Sequence, residues 1–163
     1  MSQFTATIAS LIGKVWAVVC SGAVQTKTAA AEEILAKITI PAGILTANSI
    51  IRIFHTWTNT NNANSKIIRV RFGTNGTTAD TQVFIATITT TVSYRTITEI
   101  AMRNATNSQG VFPASGLGTN TGALNTAAID ITGVTYIDLT GEVTSHPGDA
   151  LQLEFFVIEI FNP

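Results

Sequence analysis

The sequence predicts an all-β protein, an antiparallel β-sandwich of jelly-roll type with about 8–10 strands. Three observations carry this expectation. Residues 65–73, Ser-Lys-Ile-Ile-Arg-Val-Arg-Phe-Gly, alternate: Ile68, Val70 and Phe72 point one way, and Ile67, Arg69 and Arg71 the other. A period of two with β-branched residues marks a strand with one face in a core. Turn chemistry brackets it, with Thr-Asn-Thr-Asn-Asn-Ala-Asn at 58–64 before it and Gly-Thr-Asn-Gly at 73–76 after it. Gly and Asn tolerate positive φ, and Asn side chains make their own local turns. The same alternation and punctuation recur along the chain, without a segment of clear helical period.

Residues 1–13 are weakly patterned and are expected to form an N-terminal arm, either mobile or gripping a partner. Residues 14–163 then make a single sandwich domain. Residues 14–20 form the first strand and 21–31 a polar connection. Ala29-Ala30-Ala31-Glu32-Glu33 has the composition of a helix start, but alternation resumes at once over 33–40, with Ile34, Ala36, Ile38 and Ile40 on one face. Pro41 and Gly43 end that strand, since Pro cannot donate to a ladder and Gly supplies the turn. Residues 48–57 and 66–72 are expected to pair as a long hairpin with the Asn-rich run at its tip. Val70 then belongs to the core, and Asn62 is an exposed tip residue whose loss should be nearly neutral.

Strands follow at 81–91 and 93–103. Residues 104–128 are rich in Asn, Ser, Gly and Pro, too many to run structureless through a compact domain, and a short strand is expected at 109–112. Further strands are expected at 129–131 and 134–143, a tight turn at 145–149 and the last strand at 150–161. By strict alternation this last strand is apolar on both faces, with Leu151, Leu153 and Phe155 on one side and Phe156, Ile158 and Ile160 on the other. A strand buried on both faces is covered twice. In a two-sheet sandwich the second cover is another subunit or the arm. Phe156, Ile158 and Ile160 are therefore the expected intersubunit strand, and a homotrimer, closed by symmetry, is the expected assembly.

Composition narrows the function classes. A chain of 163 residues is one domain and buries roughly 70% of its unfolded surface. Cys20 is the single cysteine, which excludes an intramolecular disulfide framework. The net charge is −1 and charged residues make up 12% of the chain, about half the usual ~25%. No basic patch recruits nucleic acid. Low charge beside 45% hydrophobic residues suggests apolar surface covered by other subunits. The apolar run before Cys20 does not fit a lipoprotein signal, because residues 1–10 hold no Lys or Arg and Val19 precedes the cysteine. No run reaches the ~18 apolar residues of a spanning helix, so no membrane insertion is expected.

The sequence offers no constellation for catalysis and no cofactor or metal. His55 and His146, the two histidines, are far apart: His55 sits within a strand as a packed residue and His146 in a turn. No Gly-x-Ser-x-Gly elbow is present. The Gly-rich run at 116–122 lacks both dinucleotide and P-loop spacing and reads as a loop. Asn75-Gly76-Thr77 and Asn104-Ala105-Thr106 match a glycosylation pattern short enough to arise by chance. Arg69, Arg71 and Arg103, with Arg52 joining across the expected hairpin, read either as an anion site or as an exposed or intersubunit ladder paired with carboxylates such as Glu154 or Glu99. The ladder is favoured, since no other basic cluster accompanies them. Glu32 and Glu33 point apart on a strand and are no catalytic pair. Trp57 borders the Asn-rich run, so Trp57, Asn61, Asn62, Asn64 and, in the Gly-rich loop, Asn120 are the candidate partner-contact residues.

Several stretches carry a resemblance: Ile-Pro-Ala-Gly-Ile-Leu at 40–45, Ile-Ile-Arg-Ile at 50–53, His-Thr-Trp-Thr-Asn-Thr-Asn-Asn-Ala-Asn-Ser-Lys at 55–66, Ile-Arg-Val-Arg-Phe-Gly at 68–73, Arg-Asn-Ala-Thr-Asn-Ser-Gln at 103–109 and Leu-Gln-Leu-Glu at 151–154. From about Trp16 onward the chain resembles a small β-sandwich module of tailed-bacteriophage virion proteins, which occurs alone or at the ends of tail fibres. The resemblance implies a non-enzymatic virion component, often trimeric, and brings no catalytic residues. A stand-alone module of this size is expected to be a capsid decoration (cement) protein bound to the major capsid protein. The alternative is a tail-fibre tip or other receptor-binding protein that touches host surface glycans.

Overall fold

The computed structural model describes residues 4–7, 17–112, 125–144 and 148–162. Twelve strands are present among them: β1 (Phe4–Thr7), β2 (Ala17–Ser21), β3 (Gln25–Lys27), β4 (Glu33–Ile40), β5 (Ile50–Asn59), β6 (Lys66–Gly73), β7 (Thr81–Ile88), β8 (Ser93–Met102), β9 (Gln109–Phe112), β10 (Asn125–Ala127), β11 (Thr135–Val143) and β12 (Leu151–Phe161). They form two sheets, in the orders β1-β4-β11-β6-β7 and β10-β9-β8-β5-β12-β2, with β3 also pairing β12. Every pairing is antiparallel except β1 with β4. The sheets close over one core, in which Ile38, Val70, Phe72 and Leu139 of the first meet Ile53, Trp57, Ile100 and Ile158 of the second. The chain is thus an all-β sandwich, as its alternation predicts.

The pairing of the central strands corrects the expected hairpin. β5 and β6 do not pair with each other; they lie in opposite sheets. β5 pairs with β12 from Ile50↔Phe161 to Asn59↔Leu151, and β6 pairs with β11 from Lys66↔Val143 to Gly73↔Tyr136. Residues 50–59 and 66–73 therefore run beside 151–161 and 135–143 as an antiparallel ribbon that passes from one sheet to the other. The Asn-rich run is the corner of that ribbon. There Thr60 N–H donates to Ala150 O (3.0 Å) and Thr144 N–H to Ser65 O (3.1 Å).

A second correction concerns β12. Leu153 is opposite Trp57 and Phe155 is opposite Thr56, so Glu154 is an extra residue in a β-bulge. One inserted residue reverses which faces the following side chains take. Leu151, Leu153, Phe156, Ile158 and Ile160 consequently share the core face, each no more than 2% exposed, while Phe155 turns outward. The strand is covered once, within its own chain. Phe156, Ile158 and Ile160 are core residues and not an intersubunit surface, which removes the basis on which a trimer was expected. β4 carries a similar irregularity at Leu35, which leaves Leu35 and Ala36 both buried and takes Ile34, expected on the face of Ala36, Ile38 and Ile40, out of that row.

Smaller differences follow from local packing. Phe4–Thr7, inside the expected arm, adds a strand beside β4. Residues 25–27, expected as loop, pair with β12. Residues 129–131 are not a strand: Gln109 holds both the N–H and the C=O of Ile129 at 2.9 Å, and Ile131 N–H reaches Thr106 O. Ile129 and Ile131 are buried there without a ladder. The Gly-rich run at 116–122 with Asn120, and His146, lie outside the described residues.

Candidate functional site

The candidate contact residues divide. Trp57 is fully buried, and its Nε1–H donates to His55 Nδ1 at 2.7 Å. It offers no platform to a ligand, which corrects its place among contact residues. His55 is buried against the rings of Trp57 and Phe84, and burial pushes its imidazole down to about 3, so it stays neutral. Asn62 and Asn64 face inward at the corner. Asn62 Nδ2 and Asn64 Nδ2 donate to the two oxygens of Asp149, while Asn62 Oδ1 accepts from Lys66 Nζ and from Asn64 N–H. Lys66 Nζ also reaches Asn64 O at 2.9 Å, and its side chain is fully buried. Asn61 alone of these corner asparagines is exposed.

The outer faces of the two sheets differ in kind. On the five-stranded sheet, Arg71 grips Glu32 with two nitrogens at 2.6 and 2.7 Å. Arg69 bonds Glu142 at 2.8 Å and lies 3.5 Å from Glu32, to which Thr140 Oγ1 also donates. Burial alone would raise the Glu32 carboxyl, but the Arg71 and Thr140 hydrogen bonds and the Arg71 and Arg69 charges outweigh it and hold Glu32 below its ordinary value. These arginines are thus partnered, as the ladder reading expects, but by Glu32 and Glu142 and not by Glu154 or Glu99. Arg52, on the other sheet, pairs instead with Glu99 at 2.9 Å and Glu159 at 3.7 Å. Glu33 points away from Glu32, to Lys27 at 3.1 Å. Asp138 sits in register between Lys37 and Arg71, fully buried, its carboxyl oxygens without a hydrogen-bond partner among the described residues. Burial, reinforced by Asp80 and opposed by Lys37 and Arg71, pushes it up to about 7. Among the described residues no group of three His, Cys, Asp or Glu side chains is placed to hold a metal ion.

The outer face of the seven-stranded sheet carries apolar rows crossed by charged side chains. Ile97, Phe54, Val157 and Cys20 form one row across β8, β5, β12 and β2 by strand register. Phe155 packs on Phe54 with ring centroids 5.6 Å apart. Arg95 lies over Phe54 at 4.4 Å and Arg52 over Phe161 at 5.2 Å. Of the seven large apolar residues left exposed among the described residues, Ile50, Ile97 and Phe155 share this one face. The charged row Glu99–Arg52–Glu159 crosses between the apolar rows Ile50–Phe161 and Ile97–Phe54–Val157, and exposed apolar rows gathered on one face mark a contact surface. Alternation alone did not reveal it, because the bulge at Glu154 decides that Phe155 joins this face.

No family model and no curated protein sequence matches the chain. Solved structures similar in fold include the CBM2 module of the evolved Dit of Lactobacillus casei BL23 phage J-1 (9% identity, TM-score 0.45, covering 85% of this chain and 76% of that one). The infectious bursal disease virus VP2 subviral particle protein is another (12%, TM-score 0.45, 92% of this chain and 33% of that one). An alginate lyase from Alteromonas sp. 272 is a third (6%, TM-score 0.35, 71% and 74%). Likenesses this distant, to proteins this varied, assign no activity to the chain.

Proposed function

We propose that this chain is a non-enzymatic structural component of a bacteriophage particle, a decoration protein whose partner is the major capsid protein. The observation that carries the reading is the outer face of the seven-stranded sheet, centred on Phe54, Ile97 and Val157, which marks the chain as one component of a protein assembly. A sheet face suits packing against protein, whereas small ligands are taken into concave sites. The particle itself enters through the resemblance to phage virion modules. The receptor-binding alternative is less well supported, because Trp57 is buried and Asn62 and Asn64 bond within the corner. The test is co-sedimentation of the purified protein with capsids lacking decoration, alongside adsorption to host cells. Binding to capsids and not to cells is expected. Adsorption to cells with no binding to capsids would overturn the proposal in favour of a receptor-binding role.

A further inference from the structure

We infer that the outer face of the seven-stranded sheet is the interface with a second copy of this chain, packed about a two-fold axis that runs along the strands between β5 and β12. The inference rests on the structural reading above and names the first partner of that face. Its argument is the register. The outward residues of β5 and β12 form four cross-strand pairs: Ile50 with Phe161, Arg52 with Glu159, Phe54 with Val157 and Thr56 with Phe155. A two-fold axis along the strands exchanges β5 for β12 and keeps each residue at its height. Each residue of a pair then faces its own pair-mate on the other copy. Apolar meets apolar at Ile50 with Phe161 and at Phe54 with Val157, the Thr56 methyl meets the Phe155 ring, and Arg52 of each copy meets Glu159 of the other.

Charge points the same way. Arg52 lies between Glu99 and Glu159, so the row across the middle of the face holds one cation and two carboxylates and offers little to an acidic partner. On β5 and β12 an identical face presents this pair with cation and anion exchanged, as a self-complementary interface requires, while Glu99 of each copy lies at the margin of the row. Aligned packing of two sheet faces is an ordinary arrangement at ~10 Å separation. Three strands about 33 Å long and the shorter β2, ~4.8 Å apart, present roughly 550 Å² in plan, against the ~800 Å² per partner of a stable interface, to which side-chain relief also contributes.

The same operation brings Ile97 of one copy over Cys20 of the other, since these residues end the row on β8 and β2. Light scattering of the full chain should give twice 17.2 kDa. The Ile97→Cys variant should form a covalent dimer with a short bis-maleimide, while wild type, whose Cys20 residues lie at opposite margins of the interface, should not. Arg52→Glu and Glu159→Arg should each abolish the dimer peak at a loading that saturates wild type, and the double swap should restore it. Phe54→Asp should give a monomer, with thermal melts showing that each variant still folds.

A monomeric mass at every concentration overturns the inference and assigns the face to another partner or to the chain's own N-terminal residues. A dimer that survives both Phe54→Asp and the single charge reversals also overturns it. A monomer that still binds capsids sinks this inference alone. A dimer that ignores capsids sinks only the decoration reading.

Discussion

Trp57 and His55 show how a buried polar atom shapes this core. An indole N–H left without an acceptor costs about 1–3 kcal/mol; here His55 Nδ1 accepts it at 2.7 Å, which leaves the proton of the neutral ring on Nε2, buried without a partner among the described residues. Asp138 is a second such group, a buried carboxyl whose oxygens have no hydrogen-bond partner among the described residues. Its folded value, pushed up to about 7, exceeds the ~3.9 of an unfolded carboxyl. The folded chain therefore keeps a proton that the unfolded chain loses between those values. The stability present below about pH 4 falls as pH rises to about 7 and is then level. Asp138→Asn should raise the melting temperature at pH 8 and change it little at pH 4. An equal shift at both values would mean that ionisation of Asp138 is not the cause.

At the scale of the element, the ribbon corner and the bulge matter most. Asn62 joins both crossing strands, because its amide nitrogen holds Asp149 and its oxygen holds the buried Lys66. Asn62→Ala removes both contacts and leaves Lys66 Nζ with Asn64 O. The near-neutral outcome expected of an exposed tip gives way to a loss of about 1–3 kcal/mol, read as a lowered melting temperature. Asn61→Ala, on the exposed neighbour, is the control and should be silent. Equal melts for the two variants would show that the corner bonds carry no stability. In β12 the extra residue, Glu154, places Phe156, Ile158 and Ile160 in the core and Phe155 outside.

Across the whole molecule the paired ribbon ties the two sheets together. β5 with β12 and β6 with β11 are central pairs of opposite sheets, so neither sheet can open without parting the same two segments. The chain should unfold in one step. Urea transitions followed by far-ultraviolet circular dichroism and by tryptophan fluorescence should coincide. Two separated midpoints would show that the sheets melt independently. The outer faces divide the surface into a ladder of partnered charge, Arg71–Glu32–Arg69–Glu142, and a face of apolar rows crossed by charge, suited to another protein.

The alternation of Ile68, Val70 and Phe72, and of Ala36, Ile38 and Ile40, was enough to determine the all-β class and most strand positions, because side-chain period is a local property of the backbone. The short strand at 109–112 and the carboxylate pairing of Arg69 and Arg71 were legible for similar reasons of punctuation and charge scarcity. Strand partnership was not. Two strands joined by an Asn-rich run satisfy hairpin chemistry and sheet-crossing chemistry alike, and only the distant segment 135–161 decided that β5 and β6 part company. The faces of β12 were equally out of reach, since a single bulged residue reverses every side chain after it. The tertiary structure alone therefore decided that the doubly apolar strand is covered within its own chain, and that the apolar surface left over lies on the outer face of the seven-stranded sheet.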